Sequence, residues 1–157
     1  MIKDSGSRTE YDSGAVRDIQ EDKGRTDLLP LDVVAELFVD DDEVLVLRCI
    51  AKFMEDKNDA HLYNAIAGFC DMHNWTLPEC LLEVSKHYQQ GALKYGERNW
   101  EKGIPLHSYI DSGVRHYLKY IDGQIDEPHD RAFVWNMLGA IWTLRHKPEL
   151  NDLPEDL

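Results

Sequence analysis

Three groups of residues in this chain carry side chains able to hold a metal ion, move a proton or meet an anion. Glu79, Glu83 and His87 recur at i, i+4 and i+8, the spacing that shares one face of a helix. His116 follows Arg115, and Glu127-x-x-Asp130 brackets His129. Carboxylates three or four residues apart on neighbouring helices are how bundles gather oxygen ligands for hard divalent ions. An ion held in this way can clamp phosphate oxygens and activate a water. Each group also has a structural reading. The Glu79 face can be a solvated one, Glu127 and Asp130 can complement a helix dipole from its first turn, and His116 can be a buried histidine with a satisfied hydrogen bond.

Asn136 stands in the middle of an apolar segment, where an amide must be hydrogen-bonded, either to a neighbouring helix or to a ligand. On its helical face lie His129, Ala132, Ala140 and Thr143, mostly small residues. Trp100, preceded by Arg98 and Asn99 in a Gly-flanked loop, offers a ring to stack on a base, a guanidinium for phosphate and an amide for a base edge. The alternative is a Trp folded back onto the core. Residues 86–119 hold six basic and three acidic side chains, whereas the rest of the chain carries −16. Such a segment can hold a small anion on a protein that repels polyanions, although charge alternation on helices gives the same count.

Helices must position these groups. Thr76-Leu77-Pro78-Glu79 combines a Thr cap, Pro in the first turn and Glu three residues on, which predicts a helix over 77–95. Its apolar stripe reads Leu77, Leu81, Val84, Tyr88, Ala92 and Tyr95, with Glu79, Glu83, His87, Gln90 and Lys94 opposite. A loop over 96–105 leads to a helix over 107–121, ended by Gly123. Asp126 or Glu127 is expected to cap a last helix with Pro128 in its first turn. That helix is apolar nearly all round over 133–142 and should be central. Earlier helices are expected over 32–38 and 43–56, and after Asp59 as a cap. Residues 1–30 read as an irregular arm packed on the domain, and 147–157 as an acidic tail that frays. No alternating strand pattern is present. The fold class is all-α, a helical bundle with 31–146 as its catalytic domain.

The length of 157 residues sets one domain with appendages. A net charge of −13 argues against neutralising the phosphates of a nucleic acid polymer, and 43% apolar residues suffice for a core. No apolar run approaches the roughly 20 residues of a membrane span, and the polar first 25 residues predict no signal peptide. Cys49, Cys70 and Cys80 form no C-x-x-C pair and read as reduced thiols. Together these predict a cytoplasmic protein without membrane contacts.

The run Tyr88-x-x-Gly91-Ala92-x-Lys94-Tyr95-Gly96-x-Arg98-Asn99-Trp100, followed by Tyr109-Ile110-Asp111-x-x-x-Arg115-His116, resembles the phage dATP/dGTP diphosphohydrolase family. Ser13-Gly14-Ala15-x-Arg17-Asp18 and Lys23-Gly24-Arg25-x-Asp27-Leu28-Leu29-Pro30 agree with it. About 100 residues match in two blocks, and 38–76 reads as an insertion. The resemblance implies removal of pyrophosphate from dGTP or dATP, leaving the monophosphate; dGMP then feeds 2-aminoadenine (dZTP) synthesis in a phage. The family is similar in kind to MazG-like all-α pyrophosphohydrolases, whose E-E-x-x-E and E-x-x-D helices hold metals and whose sites are completed in a homo-oligomer. This chain departs from that pattern, with Glu79-x-x-x-Glu83 and His87 in place of a compact acidic triplet.

Under this resemblance, metal ligands are expected at Glu83, His87, His116, Glu127 and Asp130, with Glu79 or Glu83 orienting the attacking water. A triphosphate carries about four negative charges, so an acidic site must bring divalent cations to it. Mg²⁺ is the expected ion; histidine ligands would tilt the site toward Mn²⁺ or Co²⁺. Arg17, Lys23, Arg25, Lys94, Arg98 and Arg115 would neutralise phosphates, while Asn99, Trp100 and Asn136 would handle the base. Two other readings use the same residues. His87, His116 and His129-Asp130 form a series similar to the HD-domain phosphohydrolases, which include enzymes releasing triphosphate from dNTPs. A non-enzymatic acidic binding protein is the other, and it leaves the positive segment unexplained.

Overall fold

The computed structural model describes residues 4–155, and among these the chain forms six α-helices and one two-stranded hairpin. The architecture is the all-α bundle expected from the sequence. α1 (Leu31–Ala35) leads into α2 (Asp41–Asp56), whose Asp40 cap accepts from the backbone N–H groups of Asp42 and Glu43 at 3.0 and 3.2 Å. Lys57, in the left-handed region at φ 56°, turns the chain into α3 (Ala60–His73). Asp59 stands at the N-cap of α3 without capping it, and its carboxylate instead takes the Arg145 guanidinium at 2.9 Å. α4 (Leu77–Tyr95) begins with the capping box that its sequence announces: Glu79 N–H donates to Thr76 Oγ1 at 3.2 Å, and Thr76 N–H to Glu79 Oε2 at 3.1 Å.

α5 (Leu106–Ile121) and α6 (His129–His146) form the central pair. Their axes come close because glycines stand at the crossing. A Cβ on Gly139 would lie 2.2 Å from the Tyr109 ring, and one on Gly113 would lie 2.5 Å from Met137 Cε. Around the pair, Leu47, Ile50 and Phe53 of α2, Leu62 and Phe69 of α3, and Tyr109, Tyr117, Phe133 and Met137 of the centre are fully buried. The Phe69 ring meets those of Tyr117, Tyr120 and Phe133 at 4.7–6.1 Å, so α3 is locked to α5 and α6 by aromatic contacts.

α4 differs from its predicted orientation. Leu77 and Leu81 are 56% and 46% exposed, while Cys80 and Val84 are buried. The helix is rolled so that Cys80, Val84, His87 and Tyr88 face α6; the rings of His87 and Tyr88 both meet Trp135, at 5.7 and 5.9 Å. Hydrophobicity alone favours the leucine face, but the aromatic wall of α6 takes the flatter side chains. The roll carries His87 inward.

The arm is more regular than expected. Arg8–Glu10 and Val16–Asp18 pair antiparallel, Thr9 opposite Arg17, with Gly14 at φ 91° in the turn. Strands of three residues are too short to show alternation, so the sequence does not reveal them. The buried Asn99 side chain clamps Val16, accepting from its N–H at 2.9 Å and donating to its carbonyl at 2.7 Å. Thr26 ties the arm to α5 through Asp111, and Arg115 donates to the Gly24 carbonyl at 2.8 Å. The tail, expected to fray, is seated: Asp152 accepts from His107 N–H at 2.9 Å at the start of α5, and Leu153 is buried.

Candidate active site

A cavity of about 560 Å³ lies between the arm and the helices α4, α5 and α6. A space of this size takes a nucleotide-sized ligand. α5 lines it with Ser112, Arg115, His116 and Lys119, one face of a helix at i, i+3, i+4 and i+7. α4 adds His87, Gly91 and Tyr95; α6 adds Trp135 and Asn136; the arm covers it with Arg17, Asp18, Gln20 and Lys23.

At one end stand His116, Glu127 and the fully buried His129. The two Nδ1 atoms are 2.9 Å apart, and Glu127 Oε1 lies 3.5 Å from His116 and 4.0 Å from His129. A triangle with these sides has its corners about 2 Å from a common centre, the bond length of a first-row divalent ion to imidazole or carboxylate. Behind it, Asp126 accepts from His129 Nε2 at 2.7 Å. That bond places the proton on Nε2 and leaves Nδ1 as a lone pair, the arrangement in which a carboxylate orients a metal-binding histidine. Burial first, and then the neighbouring His129 and Arg17, hold the His116 pKa well below its ordinary range. The ring is therefore neutral, as a ligand must be. Two imidazoles and one carboxylate suit Mn²⁺, Co²⁺ or Zn²⁺ better than an all-oxygen set would.

His87 faces the same end. Its Nδ1 is buried with no partner among the described residues, and burial, then the cations Arg17 and Arg131, push its pKa down to about 4. Arg17 lies over the Trp135 ring at 5.3 Å and donates to Asn136 Oδ1 at 3.2 Å. The Asn136 amide also donates to the Ala132 carbonyl at 2.7 Å. The sharpest polar anomaly of the sequence is thus explained by its own helix and by the arm.

Of the residues anticipated from the sequence, Arg17, Lys23, His87, Asn99, Arg115, His116, Glu127 and Asn136 line this cavity. The others stand outside its wall, each with a commitment elsewhere. Glu79 is used by the cap of α4. Glu83 is bound by Arg131 at 2.7 Å and Lys86 at 2.8 Å; these bonds, Lys86's first, lower its pKa. Asp130 accepts from His73 of α3 at 2.9 Å. Arg25 forms a two-pronged pair with Asp27, Lys94 lies 3.7 Å from Asp4, and Arg98 pairs with Glu101 on the surface. Trp100 packs edge-on against Trp142 and Tyr88, the core reading of that residue, and the Asn99 amide is spent on the Val16 backbone. Asp126 and Glu127 do not cap α6, where Pro128 occupies the cap position, and both carboxylates turn to the histidines.

His129 belongs to the candidate triad but not to the anticipated metal set; its place inside Glu127-x-x-Asp130 was the available signal. Lys119, one turn after Arg115, was readable by the same spacing, whereas Asp18, Gln20 and Tyr95 reach the cavity through the arm and the roll of α4. No helix of the described residues is long and apolar enough to cross a membrane. Residues 55–153 match the family model described as dATP/dGTP diphosphohydrolase, N-terminal. No curated protein and no solved structure matches the chain.

Proposed function

Because the chain belongs to the dATP/dGTP diphosphohydrolase family, we propose that it hydrolyses dGTP and dATP to the monophosphate and pyrophosphate at the cavity between its arm and helices, with a divalent ion. The observation that carries this reading is a cavity lined by His116 and Glu127, two members of a candidate ligand triad completed by the buried His129 behind them, together with four cationic side chains, Arg17, Lys23, Arg115 and Lys119. The triphosphate takes the end with the triad. Arg115, held by Asp111 at 2.5 Å and by the Gly24 carbonyl, meets phosphate oxygens in a fixed orientation. Lys119 neutralises charge as it shifts to the leaving pyrophosphate. A divalent ion bound by the triad would supply Lewis-acid polarisation of a phosphoryl oxygen and a nucleophilic water near neutral pH. His87, neutral and with no partner for its Nδ1 among the described residues, hydrogen-bonds that end of the substrate or the water. The arm closes over the cavity and excludes bulk water, which strengthens these interactions.

We propose further that the product dGMP feeds 2-aminoadenine nucleotide synthesis of a phage, in the host cytoplasm, and that the working form is a homo-oligomer. Phosphorus NMR of dGTP and dATP incubated with the protein and Mg²⁺, Mn²⁺ or Co²⁺ tests the reading. Pyrophosphate with the monophosphate is the expected result. Release of triphosphate would move the chemistry to the HD type, and no turnover with any of the three ions would overturn the assignment.

A further inference from the structure

The cavity is polar along its length, and the candidate metal ligands His116 and Glu127 line one end of it. His87, His116, Glu127 and Lys119 gather at one end, and the fields of His87 and Lys119 reach His116. Tyr95 lies eight residues further along α4, about 12 Å at the helical rise, and there the arm brings Asp4, Ser5 and Asp18 to the wall, with Arg8 over the Tyr95 ring at 4.9 Å and paired to Asp4 at 2.7 Å. On the function proposed above, the triphosphate occupies the end with the metal ligands. The base therefore lies toward Tyr95 and Asp18.

Three side-chain amides line the cavity, and all are committed. Asn99 is bonded in both directions to Val16, Asn136 to Ala132 and Arg17, and Gln20 to the Asp18 carbonyl at 2.5 Å and to the Ser112 hydroxyl at 3.4 Å. The Asp18 carboxylate is different. Its Oδ1 accepts from Ser5 N–H at 3.2 Å and Ser5 Oγ at 2.6 Å, which fixes the group. Its Oδ2 has a single contact among the described residues, Lys23 Nζ at 3.4 Å, and so keeps acceptor capacity. Burial works to raise the pKa of Asp18, but the bonds from Ser5 and the Lys23 ammonium outweigh it and keep the group ionised. An ionised carboxylate accepts and cannot donate.

Resting on the function proposed above, we infer that Asp18 selects the base: Oδ2 accepts from the N1–H of a 6-oxopurine and disfavours adenine, whose N1 presents a lone pair at that place. dGTP is then the preferred substrate and dATP the poorer one. A hydrogen bond to a charged acceptor, set against a partly buried carboxylate facing a lone pair, gives a preference of roughly ten- to a hundredfold. The 2-amino group of guanine is not needed for it.

The test is kcat/KM for dGTP, dITP and dATP with the wild-type protein and with Asp18→Asn, together with equilibrium binding of dGMP and dAMP to both. dITP carries N1–H but no 2-amino group. The wild type should favour dGTP and dITP alike over dATP by about tenfold or more. Asp18→Asn keeps an acceptor for Ser5 and adds a donor for adenine N1, so the preference should vanish or reverse in rate and in monophosphate binding. Equal use of dGTP and dATP by the wild type, dITP behaving like dATP, or an unchanged preference in a folded Asp18→Asn variant would each overturn the assignment while leaving the hydrolytic function intact. The wild-type comparison decides the matter even if the variant does not fold. No hydrolysis of any triphosphate and no binding of either monophosphate would overturn the function, and the role of Asp18 with it.

Discussion

His129 has one nitrogen bound to Asp126 and the other turned to His116 and Glu127, so its geometry is set from both sides. Glu127→Gln removes the only carboxylate of the triad, and metal-dependent turnover is expected to fall by about a hundredfold or more. Asp126→Asn leaves the triad whole but loosens the His129 ring, and metal affinity measured by calorimetry should weaken roughly 10–100-fold. Glu83→Gln is the contrast. Its carboxylate already serves Arg131 and Lys86, so turnover should stay within about tenfold of wild type, and abolished activity would return Glu83 to the metal site. His87 gives a pH prediction. Its pKa is about 4 in the folded protein against the ordinary 6.5, so protons bind the unfolded chain first as pH falls. The stability is complete above about pH 6.5 and is lost progressively toward pH 4, by about 3 kcal/mol at most. Urea titrations across that range should show a shallower acid loss in His87→Gln; an identical slope would contradict the buried, neutral ring.

Among the elements, the α5–α6 crossing sets the site most directly, since it carries His116 against His129 and Arg115 beside the cavity. It depends on the absence of a side chain at Gly139. Gly139→Ala would drive a Cβ into the Tyr109 ring, which is fully buried and cannot swing out. We expect a loss of about 1–3 kcal/mol in thermal or urea unfolding, with a weakened metal response as the helices part. α4 shows how packing overrides hydrophobicity. Of its predicted apolar stripe Val84 stays buried, but Leu77 and Leu81 are left exposed while Cys80 is buried and His87 meets the Trp135 ring.

For the molecule as a whole, the decisive arrangement is an arm of some 30 residues laid across the end of a bundle. The arm supplies Arg17, Asp18, Gln20 and Lys23 to the cavity, and Asn99 holds it by two hydrogen bonds to one residue. Asn99→Ala should release the arm without unfolding the helices. Far-ultraviolet circular dichroism is expected to be unchanged, amide exchange at Val16 to rise, and KM for the triphosphate to increase roughly tenfold or more as two hydrogen bonds, each worth about 1 kcal/mol, are lost. Unchanged exchange at Val16 would show that the arm is held mainly by Thr26 and Arg115.

The capping box at Thr76, the apolar segment of α6 and the basic spacing on α5 each follow from local rules, and each was legible because its cause lies within a turn or two of helix. The run 94–100 and the Arg115-His116 pair carried the family in the same way, as patterns of near neighbours. The sequence alone therefore determined the all-α class, the family, and His116 and Glu127 as candidate ligands. Only the tertiary structure decided that His129 completes the triad and that Glu83 and Asp130 belong to Arg131 and His73. It also decided that the arm, and with it Asp18, covers the cavity. A carboxylate on a helix can turn to a cation or to a metal with equal ease. Which it meets depends on the roll of α4 and the crossing of α5 with α6, and those are fixed by contacts between residues tens of positions apart.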